Sequence, residues 1–377
     1  MSFRRTRAMA RKEFLHILRD PWSLIMALAL PLLLLLLFSY ALSLDVDRVP
    51  TAVYDQDRTP ESRELISRLA GSRYFEVTMA EGGYRQLDRQ IDTGKTMLGV
   101  VIPLRFAADL KAGRPLEMQL LLDGADSNAG SIAKNYAESV LALYAFEQQA
   151  ARIERRLGRA PGARLDARVR VWYNGDLKSR NFIIPGLIAV ILMIIAALLT
   201  SLTIAREWEN GSMEQLLSTP LRPVEMLLGK LSAYFTLGVV DTLTAIIVGV
   251  LFFGVPFRGS LLLLAASCGL FLFGALSWGI FLSAVAKSQL LAYQMGLLSS
   301  FLPAFLLSGF IYAIENMPRV IQPVTYLFPA RYFITILKSI FLKGVGLEVL
   351  WTQLVFLAVY SAVVFTLAAR KLGTKVA

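Results

Sequence analysis

Carboxylates stand in pairs at three places in this chain, Asp45/Asp47, Asp55/Asp57 and Glu207/Glu209, and paired acids are the raw material of general acid–base catalysis. Nothing beside any pair would split the proton affinities of its members, so each reads as a solvated face. A single histidine, His16, rules out H-E-x-x-H and every other site needing two; it reads as part of a polar helix face. The lone Cys268 lies in an apolar run, which excludes an intrachain disulfide and a cysteine-based metal site. Gly94-Lys95-Thr96 has the ending of a P-loop, but position 89, where the motif needs glycine, is Arg89. No G-x-S-x-G elbow occurs. The residues argue against an enzyme, a metal site or a cofactor of the chain's own. One group remains. Asp241 sits in the middle of a long apolar run, where a charge is costly and must face protein or water. It could line a cation pathway, or it could only hydrogen-bond a neighbouring helix through Thr242, Thr244 or a backbone group.

The elements that would position these groups are mostly membrane helices. The 377 residues have mean hydropathy +0.55 and are 55% hydrophobic but only 18% charged, where a soluble protein carries about a quarter charged residues. Residues 45–180 are the exception, holding 21 of the 39 Lys and Arg and 19 of the 28 Asp and Glu. The rest of the chain therefore carries most of the net charge of +11, which reports membrane orientation rather than nucleic-acid binding.

Six stretches have about the 20 apolar residues that cross a hydrocarbon core: 22–42, 182–205, 226–250, 260–285, 290–313 and 347–369. Arg4, Arg5, Arg7, Arg11, Lys12 and Arg19 precede the first, which places the N-terminus in the cytoplasm. The leader and the apolar run are both too long for a signal peptide, so the first span reads as an uncleaved anchor. Alternate crossings then put 45–180 outside, 206–225 inside, 314–346 outside and the C-terminal Arg370, Lys371 and Lys375 inside. The segment 314–346 opposes this order, since it carries Arg319, Arg331, Lys338 and Lys343 on the outer side.

The stretch 206–220, REWENGSMEQLLSTP, follows a span and so lies at a membrane face. Gly211 breaks the preceding helix, and Ser212 with Gln215 has the S-x-x-Q spacing of a capping box. Met213, Leu216 and Leu217 recur at helical spacing until Pro220 ends the run. A short capped helix here is suited to receiving force from a partner. Ahead of the first span, Phe3, Ala10, Phe14, Ile17 and Leu18 share one helical face while the arginines, Arg11 among them, crowd the other. That is the pattern of an interfacial helix on anionic headgroups, over residues 1–20.

The polar insert reads as α/β. Strands are predicted at 50–54, 74–79, 97–102, 116–122 and 167–173, alternating with helices at 60–70, 83–92, 104–111 and 127–157. A turn is predicted at 159–162. An insert of about 130 residues can bury its own core.

Two segments together resemble a known family. REWENGSMEQLLSTPLRPVEMLLGK (206–230) is similar to the cytoplasmic loop of type-2 ABC exporter permeases, and LSGFIYAIENMPRVIQPVTYLFPARYFITILKSIFLKG (307–344) looks like their C-terminal signature. KEFLHILRDP (12–21) resembles the start of the subfamily with a large insert between the first two spans. The resemblance implies a polytopic α-helical fold of six spans with an inserted α/β extracytoplasmic domain. The regions are an interfacial helix (1–20), a first span (21–44), the insert (45–180) and spans two to six (181–377) with a coupling loop at 206–225. A segment dipping into the outer leaflet, 314–346, would let its four basic residues reach headgroups.

It also implies a dimer, of two copies or of paralogues, driven by a separate ABC ATPase that supplies the ATP and Mg site. On the matching loop positions, Glu207, Glu209, Gly211, Glu214 and Pro220 would contact that ATPase, with Met213 and Leu217 on the same helix. Phe3, Arg11, Phe14 and Ile17 of the interfacial helix would share the contact. Substrate, a hydrophobic or amphipathic compound as in multidrug efflux, would pass between protomers and leave across a bacterial inner membrane. The insert would gate the outer mouth or dock a periplasmic adaptor. The competing readings are an ion-coupled secondary transporter using Asp241 and a membrane receptor with the insert as its ligand-binding domain.

Overall fold

A computed structural model describes residues 2–41, 48–125, 127–157, 172–174 and 178–373. The chain divides into two compact units, 1–43 with 171–377, and 44–170.

The second unit is α/β. Its strands β1 (Val49–Asp55), β2 (Phe75–Met79), β3 (Leu98–Ile102) and β4 (Gln119–Leu122) form one sheet in the order β2-β1-β3-β4. β1 runs parallel to β2 and β3, and β4 is antiparallel to β3. Side chains alternate between faces. Val49 and Val53 of β1 join Leu98, Val100 and Ile102 of β3 in one core, while Ala52 and Val101 face a smaller one. The larger core is covered by three helices, α3 (Pro60–Gly71), α5 (Phe106–Ala112) and α6 (Ser127–Leu157); α4 (Tyr84–Asp92) covers the other face through Leu87. The four predicted helices and the first four predicted strands are all present, shifted by at most three residues at an end. The predicted turn at 159–162 and most of the strand at 167–173 fall outside the described residues.

The pair Asp55/Asp57 has a structural task here. The Asp55 carboxylate accepts from the N–H groups of Asp57 and Arg58 and from the Ser62 hydroxyl, and Asp57 accepts from Thr59 Oγ1 and from the Ala107 N–H. These bonds hold the starts of α3 and α5 to the end of β1, a use of carboxylates at helix N-termini.

The first unit is helical. It opens with α1 (Phe3–Arg19) and α2 (Pro21–Ala41) and resumes with α7 (Ser179–Glu209), α8 (Ser212–Leu217) and α9 (Pro223–Ile247), which a π-turn extends to Phe252. Then come α10 (Leu261–Ala286), α11 (Gln289–Leu306), the one-turn α12 (Ile321–Val324), α13 (Pro329–Lys338) and α14 (Leu347–Gly373). By length and composition, five helices among the described residues can cross a membrane: α7, α9 with its extension, α10, α11 and α14. The apolar stretch Ala27–Ala41 within α2 is shorter. Helix α7 is buried without a break from Ile183 to Ala197, as a helix apolar all round must be. It packs against α2, α9, α10, α11 and α13 and is the axis of this unit.

One expectation needs correction. The helix of the span placed at 290–313 ends at Leu306, with Leu307 as its C-cap, and Gly309 just beyond takes a positive φ of 78°, which a right-handed helix cannot contain. Within 314–346, Arg319 and Lys343 are exposed, but Arg331 bonds Thr325 Oγ1 and lies 3.7 Å from the Tyr326 ring centroid. Lys338 Nζ lies 3.2 Å from the centroid of Phe182. Those two cations are held by the protein through aromatic rings. Helix α13 itself is a core element, with Phe333 stacked on Phe271 of α10 at 4.0 Å.

Candidate functional site

The sequence concentrates its polar contacts where α1 meets the end of α7 and the start of α9. Met9, Glu13 and Ile17, spaced at i, i+4 and i+8, form the buried stripe of α1. Helix α9 admits it closely through Gly229, where a Cβ would stand 2.6 Å from Met9 Cβ and 3.1 Å from the Thr6 carbonyl. The entry of α9 is tied to the same helix. Glu225 accepts from the Ser2 N–H at 2.6 Å and from its own N-cap N–H, Arg222, at 3.2 Å, while the Arg5 guanidinium donates to the Pro220 carbonyl.

At the centre lie four charges. Lys230, 1% exposed, donates from Nζ to Glu13 Oε1 at 2.9 Å and to Glu207 Oε1 at 3.0 Å. Lys12 Nζ reaches the same Glu207 oxygen at 2.7 Å and stands 3.5 Å from Glu13. Two lysines thus match two glutamates, and three helices are joined. Burial works against ionising Glu13, but the charge and hydrogen bond of Lys230, with Lys12 behind them, hold its carboxyl below the usual range. Burial likewise opposes the Lys12 ammonium, and the Glu207 bond outweighs it and raises its pKa. Glu207 Oε2 has no hydrogen-bond partner among the described residues.

From this cluster the chain turns into α8. Gly211 takes the left-handed conformation, φ 68°, and is the N-cap of α8. The expected capping box is absent: Ser212 is already helical and its hydroxyl points back to the Glu207 carbonyl at 3.4 Å. The left-handed turn at Gly211 closes α7 and opens α8 in one residue, leaving Ser212 no N-cap position to occupy. Met213 is buried against the bundle, and Glu214, Gln215 and Pro220 are exposed. The side chain of Leu217 lies outside the described residues. Glu209 turns elsewhere, accepting from both the backbone and the side-chain amide of Gln289 at the start of α11.

The structure therefore gathers Glu207, Met213 and Ile17 into one packed junction and leaves Glu214 and Pro220 on its surface. Phe3, Arg11 and Phe14 do not join it; all three are exposed. The apolar face expected of α1 is only partly the face that packs, because Ile17 belongs to both and Phe3, Phe14 and Leu18 stay outside. Asp241 is 3% exposed in α9, far along the helix from the junction, and its Oδ2 has no partner among the described residues. Thr242 and Thr244, expected as links to a neighbouring helix, donate instead to the Gly238 and Val240 carbonyls of their own helix. The residues missed from sequence are Lys230, Lys12 and Glu13. The signal was available, since Lys230 stands inside the apolar run 226–250, where a lone cation needs a partner.

A family model described as "ABC-2 family transporter protein" matches residues 21–370. The chain belongs to that family. The ABC-2 chain is 38% identical to "Probable multidrug ABC transporter permease YbhS" of Escherichia coli K12, over 97% of this chain and 95% of the relative. It is 31% identical to "Probable multidrug ABC transporter permease YbhR" of the same strain, over 96% of each. A third relative, "Inner membrane transport permease YhhJ", is 28% identical over 85% of this chain. As an ABC-2 transporter chain it is a multi-pass membrane protein. Neutralised charges lock α1, α7 and α9 together, and α8 projects from the lock.

Proposed function

We propose that this chain is the permease subunit of an ATP-driven exporter, energised by a separate ABC ATPase and working as a dimer of permeases. Helix α8 and the exposed face of α1 form the surface that receives the ATPase. The observation that carries this reading is the Lys230–Glu13–Glu207 lock, because a push on α8 or α1 is transmitted at once to α7, the axis of the helical unit. In this reading α2, about 30 Å long at 21 residues, is the sixth span. The N- and C-termini are cytoplasmic, and the unit 44–170 is extracytoplasmic, gating the exit or docking an adaptor. The substrates are hydrophobic or amphipathic compounds leaving across an inner membrane, a reading supported by the names of the relatives.

The test is purification from mild detergent, identification of whatever ATPase accompanies the dimer, and an assay of its hydrolysis. A stoichiometric P-loop ATPase, with coupling weakened by Glu214→Ala, is the expected result. An intact permease dimer that carries no ATPase and is stimulated by none would overturn the reading.

A further inference from the structure

Beside the charge lock lies a cavity of about 310 Å³ that the lock does not use. It is enclosed by the α1–α2 corner, α7, α9 and α11. Its wall is apolar, formed by residues such as Leu30, Ile195, Leu199, Leu202 and Leu237. Its mouth is polar and continues into an open pocket lined by Lys12, His16, Arg19, Asp20 and Arg206.

The charges at that mouth are unbalanced. Lys12 is matched by Glu207, and Asp20 is itself engaged. Arg19 and Arg206 have no carboxylate partner among the described residues; Arg206 has only a 3.4 Å hydrogen bond to Gln289 Oε1. Tyr234, 9% exposed, lines both the apolar cavity and the polar pocket around the lock, and so offers a phenol at the boundary between them. Arg206 is also the first charge after the apolar run of α7, which sets the mouth at the headgroup level of one leaflet.

We infer that this cavity, within a single chain, binds an anionic amphiphile, with one acyl chain against the α7 and α9 wall and the acidic head at Arg206, Arg19 and the Tyr234 hydroxyl. A free fatty acid and an anionic phospholipid share this chemistry. The site is distinct from a passage between protomers and does not depend on the exporter reading.

The experiment uses the full chain in detergent with three diazirine-labelled probes: palmitic acid, phosphatidylglycerol and phosphatidylcholine. Irradiation should label peptides containing 195–202 or 234–237 with one or both acidic probes, and far less with phosphatidylcholine. Which acidic probe labels identifies the source. Excess unlabelled palmitate or phosphatidylglycerol should abolish the label. Arg19→Gln with Arg206→Gln should reduce it at least about tenfold, the loss expected of even one of the two charge-assisted contacts. Leu199→Trp, which keeps both arginines and fills the cavity, should remove it. Equal labelling by phosphatidylcholine, label confined to exposed faces such as α14, or labelling that excess unlabelled acid leaves unchanged in the wild type would overturn the inference.

Discussion

Lys230 is buried at a depth where a cation survives only beside anions, and both of its anions come from elsewhere in the chain, one of them 217 residues away. Replacing it with Met leaves Glu13 and Glu207 facing each other with Lys12 alone between them. Removing one partner of a buried ion pair costs about 3–5 kcal/mol, so Lys230→Met should lower the thermal unfolding midpoint, and Glu13→Leu added to it should recover part of the loss. The pH response has two edges. The Glu13 pKa is depressed in the folded chain, so its contribution is full above the ordinary carboxylate range and disappears as pH falls through the depressed value. The Lys12 pKa is raised, so its contribution is full below the ordinary lysine value and disappears as pH climbs through the raised one. The protection factors of the α1 amides against hydrogen exchange should fall at both acidic and alkaline edges and stay high between them. Uniform protection across the whole range would show that the four charges do not hold α1.

At the scale of elements, two glycines set the junction. Gly229 lets α1 lie on α9, and a leucine there would overlap Met9 and force α1 outward; overpacking of this kind costs about 1–3 kcal/mol. Gly229→Leu is expected to expose α1 to protease while α7, α10 and α14 remain resistant. Gly211 takes positive φ at the corner between α7 and α8, and Gly211→Val should strain that corner and weaken stimulation of a partner ATPase more than it lowers stability. The sequence revealed these elements unevenly, for physical reasons. Strands β1 to β4 were legible as short β-branched or apolar runs alternating with helical patterns. The long helices were legible because apolar runs have few alternatives. The capping box at Ser212 was misread because S-x-x-Q spacing cannot tell an N-cap from the first helical turn; the φ of Gly211 decides that. The face of α1 was misread because a helix packed by a Met–Glu–Ile stripe hides a carboxylate that hydropathy assigns to water. Glu207 was found by family likeness, but its partners became visible only when three distant segments met.

The whole molecule combines two kinds of stability. The helical unit is organised around α7, whereas the unit 44–170 has its own sheet and its own cores and shares none of their residues with the bundle. A segment of that size with a closed core should fold alone. Expressed in isolation, 44–170 is expected to be soluble and to melt in one cooperative transition, with an enthalpy of about 0.7 kcal/mol per residue. The converse cut probes function. Deleting 50–175 removes no residue of the charge lock and none of α8, so stimulation of a partner ATPase should persist. If the unit gates the exit or holds an adaptor, export measured in the same cells should nevertheless fall, separating hydrolysis from transport. Loss of both activities, with the remaining helices still assembled, would mean that the unit helps to set the bundle in its working state. Full export after the deletion would remove the unit from the transport path altogether.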